Sequence, residues 1–270
     1  MNYKSILFWA IAVIITLASA VFQRMTGPTH PVRGSVEIKD ENIRYRLIRS
    51  FPRPTDAPIR VEVENREISG YFRYKRTPSF DEWSKEPLVR EENKLVAYIP
   101  HQPPAGKIAY QIVLQKGEEE VKLTEDPIVI RFRGDVPAWA LIPHVIFMFV
   151  AMLLSTRAGL AAIAREKTFK LALWTVITFV LGGLVLGPIV QKFAFDAYWT
   201  GWPFGTDLTD NKTAVAFVFW AIALFKSWKN KSHRGWVLTA SIVLLLIYLI
   251  PHSLMGSEID WTQEGMEVSQ

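Results

Sequence analysis

The residues best placed to do chemistry are ionisable side chains that lie inside long apolar runs. His144 follows Pro143 within one such run, and His252 follows Pro251 near the end of another. Ionisable residues are costly in hydrocarbon, so their presence there points to a functional role. Two imidazoles that face each other across a helical bundle are able to ligate b-type haem, which needs no cysteine.

The depths of the two histidines are expected to match. At about 1.5 Å per residue, His144 lies roughly 10 Å below the outer end of its helix and His252 roughly 8 Å below the same face. The pair is therefore a candidate haem or metal site. A quinone or proton-handling site using the same histidines with nearby acids is an alternative, and each histidine taken alone is also compatible with ordinary packing.

A polar and aromatic stretch precedes one of the apolar runs. Residues 198–212 read YWTGWPFGTDLTDNK, so Asp207, Asp210 and Lys212 follow a cluster of aromatic side chains. One interpretation is structural: an aromatic anchor at the membrane surface, a turn, and then a helix N-cap supplied by Thr209 or Asp210. The other is a polar pocket at the outer rim, made of His144, Asp196, Asp207, Asp210, Lys212, His252, Glu258 and Asp260.

The sequence does not support cysteine-based or nucleophilic chemistry. The chain has no cysteine, which removes c-type haem attachment, Fe–S clusters, disulfides and thiol nucleophiles. We recognise no nucleophile–base constellation, so no catalytic residue is assigned and a non-enzymatic role is favoured. Gly183 and Gly187 form a G-x-x-x-G motif, which is typical of closely packed membrane helices.

The elements that must position these residues are apolar runs long enough to cross a membrane. Since a membrane helix needs about 20 residues, the sequence predicts a bundle of about five such helices. One run is too short and must recruit polar residues from both flanks, Asp207–Lys212 on one side and Lys226–Trp228 on the other. The runs are Ser5–Phe22, Val136–Thr156, Leu171–Gln191, Thr213–Phe225 and Gly235–Gly256.

Charge in the short connections predicts the orientation. Ser155–Lys170 and Lys226–Arg234 are rich in Lys and Arg, which by the positive-inside rule places them in the cytoplasm. The N-terminus is then inside and the C-terminus outside, in a bacterial-type inner (plasma) membrane. The net charge of +5 and the pI near 9.3 come from these loops and an Arg-rich outer region. They do not indicate a nucleic-acid partner.

The charge-rich region between the first two runs is predicted to be all-β. Seven short segments rich in Val, Ile, Tyr and Phe, separated by turn residues, favour a β-sandwich of immunoglobulin or fibronectin III type. The stretch PPAGKIAYQIVL at 103–114 resembles the penultimate hairpin of such domains in architecture alone. The segments are Val32–Ile38, Ile43–Arg49, Ile59–Val63, Ile68–Arg76, Leu95–Ile99, Ile108–Leu114 and Ile128–Phe132.

These patterns predict four regions. Residues 1–23 form an N-terminal transmembrane anchor, or alternatively a signal peptide cleaved after Ala18-Ser19-Ala20. Residues 24–135 form an exoplasmic β-sandwich domain. A four-helix transmembrane bundle occupies 136–257, and an acidic exoplasmic tail occupies 258–270.

The function expected from this organisation is binding. A sandwich joined to the bundle without a flexible linker suits a non-catalytic accessory or assembly subunit of an envelope complex. Its partners are then the lipid bilayer and a membrane or envelope protein. The competing hypothesis is a membrane redox protein that binds haem b or quinone between His144 and His252.

Overall fold

The protein divides into two compact units in a computed structural model that describes residues 3–229, 233–252, 256 and 258–262. The helical unit comprises Met1–Pro28 and Val136–Ser257. The sheet unit comprises Thr29–Asp135 and Glu258–Gln270.

Within its described residues, the helical unit contains four stretches that are long and apolar enough to cross a membrane, together with one shorter apolar helix. This supports an integral membrane protein with four or five spanning helices. The third stretch, Phe169–Phe195, is continuous but changes from α- to π-helix and back. The elements are α1 (Tyr3–Thr26), α2 (Ala138–Ile163), α3 (Phe169–Phe179), the π segment (Val180–Leu186), α4 (Gly187–Phe195), α5 (Leu208–Lys229) and α6 (Arg234–Leu249).

The last two helices differ in length from their apolar runs. α5 has 22 residues and begins at Leu208, which confirms that the short fourth run recruits its polar flanks. α6 has only 16 residues and ends at Leu249, so the prediction of a helix reaching Gly256 is wrong. The reason is Pro251: the residue before a proline is biased against helical dihedrals, and Ile250 adopts φ −72° and ψ 119°.

Small residues allow the helices of this unit to approach closely. On α2, Ala151, Ala158 and Gly159 are buried, and the Ser241 hydroxyl of α6 donates to the Ser155 carbonyl at 2.8 Å. A Cβ added at Gly159 would lie 2.5 Å from the Ser241 Oγ atom, so this contact requires glycine. α1 also packs into the unit, where it contacts α2 and α6.

All seven predicted strands are present in the sheet unit, and four further short strands join them. The additional strands are mostly exposed and polar, which explains why an alternation of apolar residues did not reveal them. The strands are β1 (Val32–Ile38), β2 (Glu41–Leu47), β3 (Ser50–Phe51), β4 (Ala57–Glu62), β5 (Ser69–Arg76), β6 (Ser84–Pro87), β7 (Val89–Glu91), β8 (Lys94–Ile99), β9 (Lys107–Lys116), β10 (Glu119–Lys122) and β11 (Ile128–Phe132).

The strands form three sheets around one apolar core. The largest has the order β3-β11-β9-β5-β6, with β10 also paired to β9. A second sheet has the order β4-β8-β7, and β1 pairs with β2. Ile59 and Ile99 of the second sheet and Phe72 and Phe132 of the largest are all buried in this core. Tyr110 is fully buried as well, and its hydroxyl donates to the Ile48 carbonyl at 2.9 Å.

The segment 258–262 packs onto the sheet unit. Glu258 forms an ion pair with Lys107, and the Trp261 amide donates to the Pro78 carbonyl at 3.1 Å. The guanidinium of Arg76 lies 4.6 Å from the centre of the Trp261 ring. The start of the predicted acidic tail is therefore part of this unit, while residues 263–270 lie outside the described part of the chain.

Candidate functional site

A cavity of about 130 Å³ lies in the helical unit between α2, the π segment, α4, α5 and the chain that follows α6. Its walls are largely apolar, with Met148, Val190 and Phe195 among them. Four residues of the predicted polar pocket line it: His144, Asp207, Asp210 and His252. The cavity therefore brings together four of the eight residues of the predicted pocket.

His144 is held by the π segment. Its Nδ1 atom lies 2.9 Å from the Gly182 carbonyl, which also accepts the Gly187 amide as part of the wider π turn. Since a carbonyl only accepts, Nδ1 must carry the proton, and Nε2 of the neutral ring is left as an acceptor. Single π turns inside α-helices often occur at functional sites, and here the turn positions an imidazole.

His252 is held by α1. The Gln23 side-chain amide donates to the Tyr248 carbonyl at 2.8 Å and lies 3.0 Å from Nδ1 of His252. The Tyr248 carbonyl requires an N–H at this position, so the amide nitrogen faces the imidazole and Nδ1 accepts. The proton of neutral His252 is then on Nε2. The side chain is exposed and lies at the edge of the cavity rather than inside a helix.

Asp207, and not Thr209 or Asp210, is the N-cap of α5. Its Oδ1 atom accepts the amides of Thr209 at 2.7 Å and Asp210 at 3.4 Å. The sequence-based assignment of the cap was therefore wrong by a few positions. Helix N-caps favour aspartate because the carboxylate satisfies amides that have no partner in the first turn.

Because Asp207 supplies the cap, the carboxylate of Asp210 is available to bind the backbone of the preceding connection. Its Oδ2 atom accepts the backbone amides of Thr200 at 2.6 Å and Gly201 at 3.0 Å, and the Gln191 side-chain amide at 3.0 Å. Asn211 adds a bond to the Trp202 amide at 2.7 Å. Together they fix the connection between α4 and α5, which we call the aromatic loop (residues 197–206).

The aromatic loop leaves three rings exposed. Tyr198, Trp202 and Phe204 keep 60%, 78% and 82% of their surface accessible. Its backbone packs closely against the start of α5, since a Cβ at Gly201 would lie 2.6 Å from the Asp210 Cβ atom. The loop is therefore a fixed platform that presents aromatic side chains outward.

Lys212 is buried but does not line the cavity. Its ammonium donates to the Ile250 carbonyl at 2.8 Å and approaches the Pro251 carbonyl at 3.5 Å. The last carbonyls of a helix have no partner within the helix, so a cation from α5 satisfies the end of α6. This contact gives Lys212 a structural role.

The remaining members of the predicted pocket lie elsewhere. Asp196 ends α4 and forms an exposed ion pair with Lys192 at 2.7 Å. Glu258 belongs to the sheet unit, where it pairs with Lys107. Asp260 also belongs to that unit, and its Oδ1 atom accepts the Thr262 amide at 2.9 Å.

Sequence reasoning missed two glutamines that organise the site. Gln23 holds His252, and Gln191 holds Asp210. Each lies at the end of an apolar run, where an uncharged polar residue was read as the edge of a helix. A glutamine amide at membrane depth needs hydrogen-bond partners. The presence of Gln23 and Gln191 at the ends of apolar runs was therefore a signal in the sequence that each binds another polar group.

Of the two glycines predicted to pack helices, Gly183 lies closer to its neighbours. A Cβ at Gly183 would lie 3.3 Å from the Thr213 Cγ2 atom, whereas one at Gly187 would meet nothing nearer than 3.5 Å. Gly182 is closer still to its neighbour, since a Cβ there would lie 2.9 Å from the Phe147 Cβ atom.

The cavity does not suit haem. Pockets for small molecules and cofactors usually measure about 300–1,000 Å³, well above the volume of about 130 Å³ found here. Among the described residues, no group of three or more His, Asp or Glu side chains is arranged to hold a metal ion.

Comparisons with known proteins add no relative. No protein family matches the chain, and neither a curated protein nor a solved structure shows significant similarity to it.

Proposed function

We propose that this chain is a non-catalytic accessory or assembly subunit that binds a membrane or envelope protein. The proposal rests on one observation: the polar side chains at and near the cavity bind backbone groups of this chain. Asp207 caps α5, Asp210 accepts the amides of the aromatic loop, and Lys212 satisfies the end of α6. These groups support the local fold, which is the role expected of a binding scaffold.

The aromatic loop is the contact surface in this proposal. Aromatic side chains dominate binding hot spots because they bury a large area at little cost in conformational entropy. Trp202 and Phe204 are the most exposed rings of the loop, while their backbone amides are held by Asn211 and Gly201. A preorganised, exposed aromatic pair is well suited to one defined partner.

The proposal includes an orientation and a finer fold. The basic connections after α2 and α5 favour an N-terminus inside and a C-terminus outside in a bacterial-type inner membrane. The sheet unit is then exoplasmic. A β-sandwich of immunoglobulin or fibronectin III type is supported by its two larger sheets, which both contribute to one core.

The test is the size of the solubilised assembly. We expect the wild-type protein, extracted from its native membrane in a mild detergent, to migrate in a complex larger than its own micelle. Trp202→Ala combined with Phe204→Ala should release the partner without changing the thermal midpoint. Trp174→Ala, which removes another exposed ring from α3, is the matched control. A wild-type protein that migrates alone and crosslinks to nothing would refute the proposal.

A second candidate function is supported by the two histidines. His144 offers an acceptor and His252 offers a donor at one apolar cavity. A quinone carries carbonyl oxygens that accept hydrogen bonds, and hydroxyls that donate them once it is reduced. We therefore propose quinone as the ligand of the alternative, redox function, with only its head group inside this small cavity.

That alternative is tested by chemical analysis of the purified protein. Stoichiometric quinone in the organic extract, lost in His144→Ala and in His252→Ala but kept in His233→Ala, would establish it. His233 precedes α6 and does not line the cavity. Extracts without quinone from a folded protein would remove this candidate.

A further inference from the structure

A second cavity, of about 220 Å³, lies at the other end of the helical unit. It is formed where the chain passes from α2 to α3 and where α5 approaches α6. Its lining is Glu166, Lys167, Thr168, Phe169, Ser227 and Arg234. We call it the basic cavity.

The charge of the basic cavity is positive. Glu166 is already paired with the buried guanidinium of Arg157 at 3.0 Å. Among the described residues, neither Lys167 nor Arg234 forms an ion pair. No described carboxylate therefore neutralises these two cations at the cavity, and together they favour a ligand of negative charge.

Two helices also begin at this cavity. α3 starts at Phe169 and α6 starts at Arg234, and neither has a side-chain hydrogen bond at its N-cap. The first amides of a helix have no partner within it, and the helix dipole places partial positive charge there. Such ends bind anions readily, and phosphate above all.

A buried hydroxyl provides the independent indication of a ligand. Ser227 is 9% exposed, it lines the cavity, and its Oγ atom has no hydrogen-bond partner among the described residues. A buried hydroxyl without a partner is costly, so an acceptor that enters the cavity removes this cost. Lys167, Arg234 and Ser227 thus line one cavity, and among the described residues no acceptor serves the Ser227 hydroxyl.

We propose that the basic cavity binds a phosphate group, supplied by a phospholipid headgroup or by free phosphate. Lys167 and Arg234 neutralise its charge, the Ser227 hydroxyl donates to one oxygen, and the amides at the start of α3 donate to others. Basic pockets between membrane helices on the cytoplasmic side bind phosphate-bearing headgroups by this chemistry. The proposal is independent of the function assigned to the opposite end.

Thermal unfolding of the purified, delipidated full chain tests the site. One titration uses phosphatidylglycerol in mixed micelles, and the other uses sodium phosphate against sodium chloride at equal ionic strength. We expect a saturable rise in the midpoint in at least one of them. Lys167→Gln and Arg234→Gln should each weaken the apparent affinity about tenfold, the loss of one charge-assisted contact. Lys170→Gln, which removes a charge near the cavity without lining it, should leave the affinity unchanged.

Ser227→Ala separates a ligand contact from a structural one. Without ligand, loss of a hydroxyl that has no partner should leave the midpoint unchanged or raise it, while the affinity falls about threefold, less than for a charged contact. A response to lipid alone identifies a headgroup, and a response to both additions identifies phosphate itself as sufficient. The proposal is overturned if neither addition gives a saturable shift, or if Lys170→Gln weakens binding as much as Lys167→Gln.

Discussion

Asp207 and Asp210 lie one turn apart at the start of α5, and both are buried. Buried carboxylates persist only where hydrogen bonds replace the water they lose. Here the donors are mostly backbone amides of the helix start and of the aromatic loop. At the scale of single residues, this part of the molecule uses charge to hold backbone in place.

Replacement of Asp210 should therefore disrupt the aromatic loop. Asp210→Ala leaves the amides of Thr200 and Gly201 without their acceptor, at about 1.5–3 kcal/mol for each bond to a charged group. We expect a thermal midpoint several degrees lower. Asp196→Asn removes the charge of an exposed ion pair in the same connection, keeps a residue type tolerated at φ 62°, and should cost less than about 1 kcal/mol. Equal midpoints for the two variants would show that Asp210 does not hold the loop.

A pH dependence is expected in the sheet unit. The guanidinium of Arg76, which donates to Asp81 at 2.7 and 2.9 Å, holds the pKa of that carboxyl below its ordinary value of 3.8. Because the pKa is lowered on folding, the stabilisation is present in full above the ordinary value. It is lost as the pH falls through the folded pKa.

Comparison with Asp81→Asn measures this contribution. The difference in unfolding midpoint between the wild type and the variant should persist at neutral pH and shrink below about pH 4. A difference that is constant across this range would show that the ion pair with Arg76 is not its source.

At the scale of elements, sequence patterns were informative where one physical rule dominates. Apolar runs located every described helix, and alternating apolar residues located the seven strands that build the core. Boundaries were less predictable because they depend on local backbone rules. Pro251 ends α6 early, and Asp207 rather than Thr209 or Asp210 caps the start of α5.

The site was predictable only in part for the same reason. The depth of a residue follows from its position in a run, so His144, Asp207, Asp210 and His252 could be grouped in advance. That position does not determine which face of a helix turns inward. The grouping therefore also included Lys212 and Asp196, which have other partners in the structure. The role of Gln23 depends on how α1 packs against α6, and this packing cannot be deduced from any local sequence pattern.

The π segment makes a prediction about helix packing. Gly182→Ala places a Cβ 2.9 Å from the Phe147 Cβ atom and 3.1 Å from the Met148 amide nitrogen, so α2 must shift. We expect a loss of about 1–3 kcal/mol, as for overpacked cores. Gly187→Ala has ordinary contacts and better helix propensity, so its midpoint should be unchanged or higher. The reverse order would contradict the observed packing of α2 on the π segment.

At the scale of the whole molecule, the orientation proposed from charge is open to direct labelling. The chain has no cysteine, so single cysteines serve as reporters without a background. In intact cells or spheroplasts, Glu118→Cys in the sheet unit should react with a membrane-impermeant maleimide. Lys170→Cys, near the start of α3, should react only after permeabilisation. The opposite pattern would invert the proposed topology.

The central claim is that the aromatic loop contacts a protein partner, and site-specific photocrosslinking tests it most directly. Benzoylphenylalanine at Phe204 should give one discrete adduct of higher mass in the native membrane, and Trp202→Ala should abolish it. The same probe at Trp174, an exposed ring of α3, should give no such adduct. Lipid adducts alone at Phe204, or an adduct that Trp202→Ala leaves intact, would contradict the account.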